Sequence, residues 1–308
     1  MAKAKIKSYK IKDTLGDRVL NKILGTFMTI WVIVTLYPLI YVVSASISSP
    51  KAIQAGLVVL WPVDFTLESY EFVLQYRDVW IGYRNSVFYT ICDWAFQTFC
   101  TVTCAYAISR RYFQGRGFVV WFLYGIRFFG AGMIPGYILK CNLGLYNNIW
   151  AVLISGTIAT GDMLMLRAAI NSNVPEDLLD AARIDGANHY YCIWNIIIPL
   201  TKATISVLSL YAMVGMWNEY FTAMLYLRDS NLFPLQLVLR PIMTAAASAT
   251  QNSMNSGGGQ SLYEINADKG LDGVRYALII ISSVPPIVGY MVAQKAFKGG
   301  VMVGAVKG

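Results

Sequence analysis

Four ionisable side chains, Asp93, Arg127, Asp162 and Glu219, interrupt stretches that are otherwise apolar enough to cross a bilayer. A charge at bilayer depth costs a few kcal/mol on insertion scales, so each must face a partner or a watery cavity. Carboxylates around such a cavity can accept hydrogen bonds from a polar solute. The competing reading pairs Arg127 with Asp93, Asp162 or Glu219 and uses the charges only to fix helix packing; the residues alone leave both open. Covalent and metal chemistry find little to work with. His189 is the single histidine, so no His-based metal cluster or catalytic triad can be assembled. Cys92, Cys100, Cys104, Cys141 and Cys192 show no metal-ligand spacing, and Cys100-x-x-x-Cys104 fits one face of a packed helix. No G-x-x-x-x-G-K-[ST] phosphate loop occurs, nor any Gly-Lys pair, so the chain does not itself carry that nucleotide-binding device.

The elements that hold these residues follow from composition. Hydrophobic residues make up 56% of the 308 and charged residues only 14%, with a mean hydropathy of +0.50. That is a membrane-class composition. The first apolar run, 23–49, is long enough to span and is expected to remain as a membrane helix rather than act as a cleaved leader. Six segments, approximately 22–46, 85–109, 117–139, 148–169, 203–227 and 274–294, predict spanning helices, since inside lipid a helix satisfies its own backbone. Sixteen of the 25 Lys and Arg residues fall on one side of this arrangement. They include the basic start, residues 1–21, as well as Arg110, Arg111, Arg116, Arg183 and Lys202. Eight fall on the other side and Arg127 lies within a span, so both termini are expected to be cytoplasmic. The long segments 47–84 and 228–273 then lie outside. Within the second, 232–247 is apolar but broken by Pro234, Arg240 and Pro241, and it predicts an interfacial or lumen-facing element. No internal repeat and no broken mid-membrane helix is readable.

Between the fourth and fifth spans lies a polar loop, 171–202. Pro175 suits a first helical turn, and Glu176 and Asp177 complement the positive end of the helix dipole. Leu178, Leu179, Ala181 and Ala182 offer a small apolar face. Gly186 permits a left-handed turn, after which a second helix carries Tyr190, Ile193, Trp194 and Ile197 up to Pro199. Asp180 and Asp185 could pair with basic groups on a partner. Such a bent knob suits docking of a soluble protein; a connector that merely packs under the bundle is the plainer alternative.

The run Asp180-Ala181-Ala182-x3-Gly186-Ala187-x8-Ile196-x-Ile198-Pro199 resembles the signature loop of the permease subunits of binding-protein-dependent ABC importers. Asp180 stands where that loop usually has Glu, and Ile198 where it has Leu. Further words that resemble the sugar-importing branch are Phe128-x3-Gly132-Met133-Ile134-Pro135, Asn142-Leu143-Gly144-Leu145, Trp217-Asn218-Glu219, the run 234–240 and the tail 304–308. The likeness is greatest to the second permease of maltose-type and polysaccharide-oligosaccharide systems. It implies an all-α integral membrane protein of type I importer permease fold, six transmembrane helices with a cytoplasmic coupling-helix loop. The permease domain would span 22–294 and a cytoplasmic tail 295–308.

The resemblance also implies partners and sites. Asp180, Ala181, Ala182, Asp185, Gly186 and Ala187 would contact an ATPase subunit. Val306, Lys307 and Gly308 would reach between two such ATPases, and Gly257, Gly258 and Gly259 would meet a binding protein. A sugar, delivered by an extracytoplasmic solute-binding protein, would pass Arg127, Trp217, Asn218, Glu219 and Tyr220, where a flat aromatic adjoins hydrogen-bonding groups. The chain would pair with a second, distinct permease and two ATP-binding subunits in a bacterial cytoplasmic membrane. ATP and Mg would belong to those subunits; no cofactor, metal or nucleic acid is expected on this chain. The alternative is an ion-coupled secondary transporter with no ATPase partner.

Overall fold

A computed structural model describes residues 14–130, 132–252 and 271–304. The described residues are helical almost throughout. Helix α1 (Leu15–Ser46) begins at a capping box in which Thr14 Oγ1 accepts from the Asp17 amide and the Asp17 carboxylate takes the Thr14 amide in return. Its apolar side chains stay exposed until Ser44, Ala45 and Ser46, which suits a helix facing lipid. Two short helices follow, α2 (Pro50–Gln54) and α3 (Glu68–Gln75).

Helix α4 (Arg77–Ser109) is the axis of the fold. At 33 residues it is about 50 Å long, at 1.5 Å per residue. It packs against the later helices on several sides. Asn85, Ser86, Thr90, Asp93, Gln97 and Thr101 are buried on it, so its polar stripe faces protein. Gly82 lets the backbone at Leu235 approach to 3.0 Å of where a Cβ would stand.

The remaining helices are α5 (Arg116–Phe128), α6 (Met133–Asn142), α7 (Trp150–Thr157), α8 (Thr160–Asn173), α9 (Glu176–Ile184), α10 (His189–Cys192), α11 (Ile198–Leu200), α12 (Lys202–Trp217), α13 (Phe221–Tyr226), α14 (Leu235–Asn252) and α15 (Leu271–Gly304). A π-helical turn, Ile193–Ile197, joins α10 to α11.

Several expected spans are not continuous. The segment 117–139 becomes α5 and α6, bent by 114°, with Gly132 at φ 82° where the second begins. Residues 148–169 fall on α7 and α8, separated at Ile158 and Ala159. The segment 203–227 becomes α12 and α13, interrupted at 218–220. Helix breaks that the sequence does not reveal are therefore present. Among the described residues, three helical stretches are long and apolar enough to cross a membrane, Leu15–Ser46, Gly273–Gln294 and, taken across its break, Trp150–Asn173, or five if each bent pair forms one span. Helix α4 has the length but not that apolarity, because its polar residues are spent inward.

The element expected at 232–247 is α14, which packs through buried Leu235 and Leu239 against Trp217, Val274 and Leu278. At the opposite end of the bundle, a second core unites Val102, Ala105 and Tyr106 of α4 with Leu166 and Ile170 of α8. The same core takes in Leu179 of α9, Cys192 of α10 and Ile197.

Candidate functional site

Three of the four intramembrane charges meet at one place. A cavity of about 290 Å³ between α4, α7, α8 and α12 is lined by Asp93, Asp162 and Glu219 together with Gln97, Ser155, Tyr211 and Thr222. Each carboxylate is held differently. Asp93 is 2% exposed, its Oδ1 has no hydrogen-bond partner, and it presses against Gly156, where any Cβ would collide with it. Asp162 Oδ2 accepts from Gln97 Nε2 at 2.9 Å. Glu219 Oε1 accepts from the Thr222 amide at 2.7 Å, satisfying one of the orphan donors that open α13.

Arg127 is exposed on α5, its Cζ 3.6 Å from where a Cβ would stand on Gly161. Among the described residues it forms no ion pair with Asp93, Asp162 or Glu219. Its charge nonetheless acts on Asp162, and Gln97 ties Asp162 across helices, so the carboxylates both fix packing and line the open volume.

The aromatic-polar run around Glu219 divides. Trp217 is buried, 3% exposed, edge-on to Tyr83 and donating its indole N–H to the Ser282 carbonyl at 2.9 Å. It is a core anchor with no free ring face for a solute. Asn218 Nδ2 turns back to the Val214 carbonyl at 2.9 Å. The Tyr220 ring already carries the Arg240 guanidinium, 5.2 Å from its centroid. Of the four, Glu219 reaches the cavity. Tyr211, an exposed ring on the cavity wall, supplies the flat aromatic that the sequence places at Trp217. Gln97, Ser155 and Tyr211 were missed, although Asp93-x-x-x-Gln97-x-x-x-Thr101 is a readable polar stripe at helical spacing.

The loop 171–202 forms a bent knob at one end of the bundle. Pro175 precedes α9, and Gly186 takes φ 83° at the corner. Leu179 is buried, and Ala182 and Ala187 pack partly against the same core, so these residues weld the knob inward. Asp180, Ala181 and Asp185 stay on the surface. Ile184, 87% exposed, stands there with Leu178, Tyr190 and Trp194. The outward face is thus apolar and larger than the two alanines alone suggest. Asp180 makes a 3.5 Å contact with Arg183 of its own helix. The loop glycines Gly257, Gly258 and Gly259 and the tail residues Val306, Lys307 and Gly308 lie outside the described residues.

Known proteins resemble this chain in sequence and fold. Protein LplC of Bacillus subtilis (strain 168) is 30% identical over 275 residues, covering 89% of this chain and 90% of its own length. The polygalacturonan/rhamnogalacturonan transport system permease protein YtcP of the same organism is 28% identical over 294 residues, 96% of this chain and 100% of that protein. A chain in the crystal structure of a bacterial ABC transporter involved in the import of the acidic polysaccharide alginate superimposes with a TM-score of 0.81 at 30% identity. The match covers 94% of this chain and all of that one, so the fold is that of a type I ABC importer permease. Residues 11–298 match the binding-protein-dependent transport system inner membrane component, and the chain belongs to that family of transport permeases.

Proposed function

We propose that this chain is one of two permease subunits of an ATP-driven importer that moves an oligosaccharide, derived from a polysaccharide, across the bacterial cytoplasmic membrane. The observation that carries the reading is the knob, whose apolar outward face and inward-welded core suit a device that transmits force from a soluble subunit. The carbohydrate assignment draws on the relatives, whose names include polygalacturonan/rhamnogalacturonan transport, and on a cavity rich in hydrogen-bond acceptors. Membership in a binding-protein-dependent family favours this over ion-coupled secondary transport.

In the cycle we infer, an extracytoplasmic binding protein delivers the sugar to the outer mouth formed with a second, homologous permease. Two ATPase subunits seat the knob 176–194 and close on ATP. The knob carries that closure into the spans, and hydrolysis returns them to the inward-open state. The knob end and both termini are cytoplasmic in this reading, and residues 22–294 form the six-span domain. Asp93, Asp162 and Glu219 accept hydrogen bonds from sugar hydroxyls that replace lost water. Arg127, exposed beside Gly161, borders the route. The tail residues Val306, Lys307 and Gly308 meet the ATPases, and Gly257, Gly258 and Gly259 meet the binding protein.

The test uses the complete complex in proteoliposomes. Ile184→Asp puts a charge on the most exposed apolar side chain of the knob, and Gly186→Pro forbids the left-handed corner. Both should separate ATP hydrolysis from sugar uptake or prevent ATPase assembly. Normal uptake by both variants would overturn the proposal. Purification of the native complex, with identification of its co-purifying subunits, checks the partner set independently.

A further inference from the structure

Three consecutive residues that the sequence offers only as topology-setting charge and a turn, Arg110, Arg111 and Tyr112, close around the knob from the end of α4. Arg111 Nε meets Glu176 Oε2, at the start of α9, at 2.8 Å. Its side chain is 81% exposed, so this pair alone contributes little. Arg110 is buried, its Nε donating to Ser109 Oγ at 3.0 Å, with Cζ 5.4 Å from the Tyr106 ring. Burial lowers its pKa from the usual guanidinium value. A guanidinium is withdrawn from water this way only where the surrounding packing demands it.

The half-exposed Tyr112 ring meets both arms. The Arg183 guanidinium lies 3.9 Å from its centroid. The His189 ring stacks with it at 6.3 Å and 25°. His189 in turn shares a 3.0 Å hydrogen bond with Tyr106 Oη on α4 through Nδ1. Arg183 and His189 stand three residues before and three after Gly186, the left-handed corner of the knob. One ring therefore bridges both arms of the bend. Leu179 already seats α9 on the core; the ring adds a tie across Gly186 that limits rotation between the two arms.

We propose that Tyr112 is a positioning residue for transport, a wedge that makes α9, α10 and α4 move as one body. Gln97, on the cavity wall, lies nine residues before Tyr106 on the same unbroken helix, about 13 Å away at 1.5 Å per residue. The wedge thus connects the knob directly to the acidic cavity. This rests on the knob being the ATPase contact.

The experiment measures sugar taken up per ATP hydrolysed by the full complex in proteoliposomes, with assembly checked by size exclusion. Tyr112→Ala should leave assembly and ATP hydrolysis intact and lower the uptake ratio about two- to fivefold, in line with loss of a cation–π contact to a half-exposed ring. Tyr112→Phe, which keeps the ring and loses only the hydroxyl's contact with Tyr106, should restore most of the ratio. His189→Ala should resemble Tyr112→Ala, and the double variant should add little to either. If the Tyr112→Ala ratio is normal while Ile184→Asp still uncouples, the wedge is wrong and the docking knob stands. If both variants transport normally, the knob reading fails as well. A ratio not recovered by Tyr112→Phe would also overturn the wedge, since the ring is what it requires.

Discussion

The indole N–H of Trp217 donates to the backbone carbonyl of Ser282 at 2.9 Å, the acceptor that Pro286, four residues on, cannot serve. Pro285 and Pro286 lie inside α15 and remove two amides from its ladder. In lipid an abandoned carbonyl is costly, and α12 meets that demand with a side chain. Trp217→Phe should lower stability by about 1–3 kcal/mol, the cost of an unsatisfied buried acceptor. Adding Pro286→Ala, which returns an amide to the helix, should recover part of the loss. Thermal unfolding of the detergent-solubilised complex reads both.

The same pair shows what was legible beforehand. Trp217-Asn218-Glu219 is plain in the sequence, but which of the three faces a cavity depends on rotation about α12 and on two prolines roughly seventy residues later. The apolar ends of the bundle, α1 and α15, were readable because lipid contact leaves a continuous hydropathy signal. The corner at Gly186 was readable because a left-handed turn between two helices favours glycine, which has no Cβ to clash. The breaks at 158–159 and 218–220 were not, since neither carries proline; at the second the Glu219 carboxylate caps the Thr222 amide locally. Arg111 and Tyr112 could be read as loop residues, and only the fold brings them to Glu176 and Arg183.

Gly156 makes room for Asp93. A Cβ there would run into the carboxylate, so the side chain would have to shift. Gly156→Ala should drive Asp93 from its position and reduce uptake by roughly tenfold, since a small misplacement at a site can cost one to two orders of magnitude. Assembly with the ATPases, measured by co-purification, should be retained because the knob lies at the far end of α4.

Glu219 has two tasks, capping α13 through the Thr222 amide and presenting an acceptor to the cavity. Glu219→Gln keeps a carbonyl oxygen for the cap but removes the charge, whereas Glu219→Ala removes both. Gln should therefore retain near-normal thermal stability while slowing sugar uptake. Ala should add a stability loss of about 1 kcal/mol, typical of a deleted cap. Equal melting temperatures for the two variants would show that the cap contributes nothing.

Asn85 fastens the N-terminal part of α4 to the chain that leads into α14. Its Nδ2 donates to the carbonyls of Asn231 at 2.7 Å and Phe233 at 3.0 Å, while Tyr89 Oη donates to Leu232 at 2.9 Å and Ser86 Oγ accepts from the Leu235 amide at 2.8 Å. Consecutive backbone groups from 231 to 235 are thus served by one turn of α4, in place of the regular structure that Pro234 prevents. Asn85→Ala strands two carbonyls and should cost about 2 kcal/mol, at roughly 1 kcal/mol for each lost bond. Ser86→Ala strands a single amide and should cost about half as much. Hydrogen exchange at 229–237 is the direct reading, and faster exchange confined to that stretch in Asn85→Ala is the expected result. Exchange that instead rises throughout α4 would mean that Asn85 stabilises the helix itself rather than its hold on the segment 229–237.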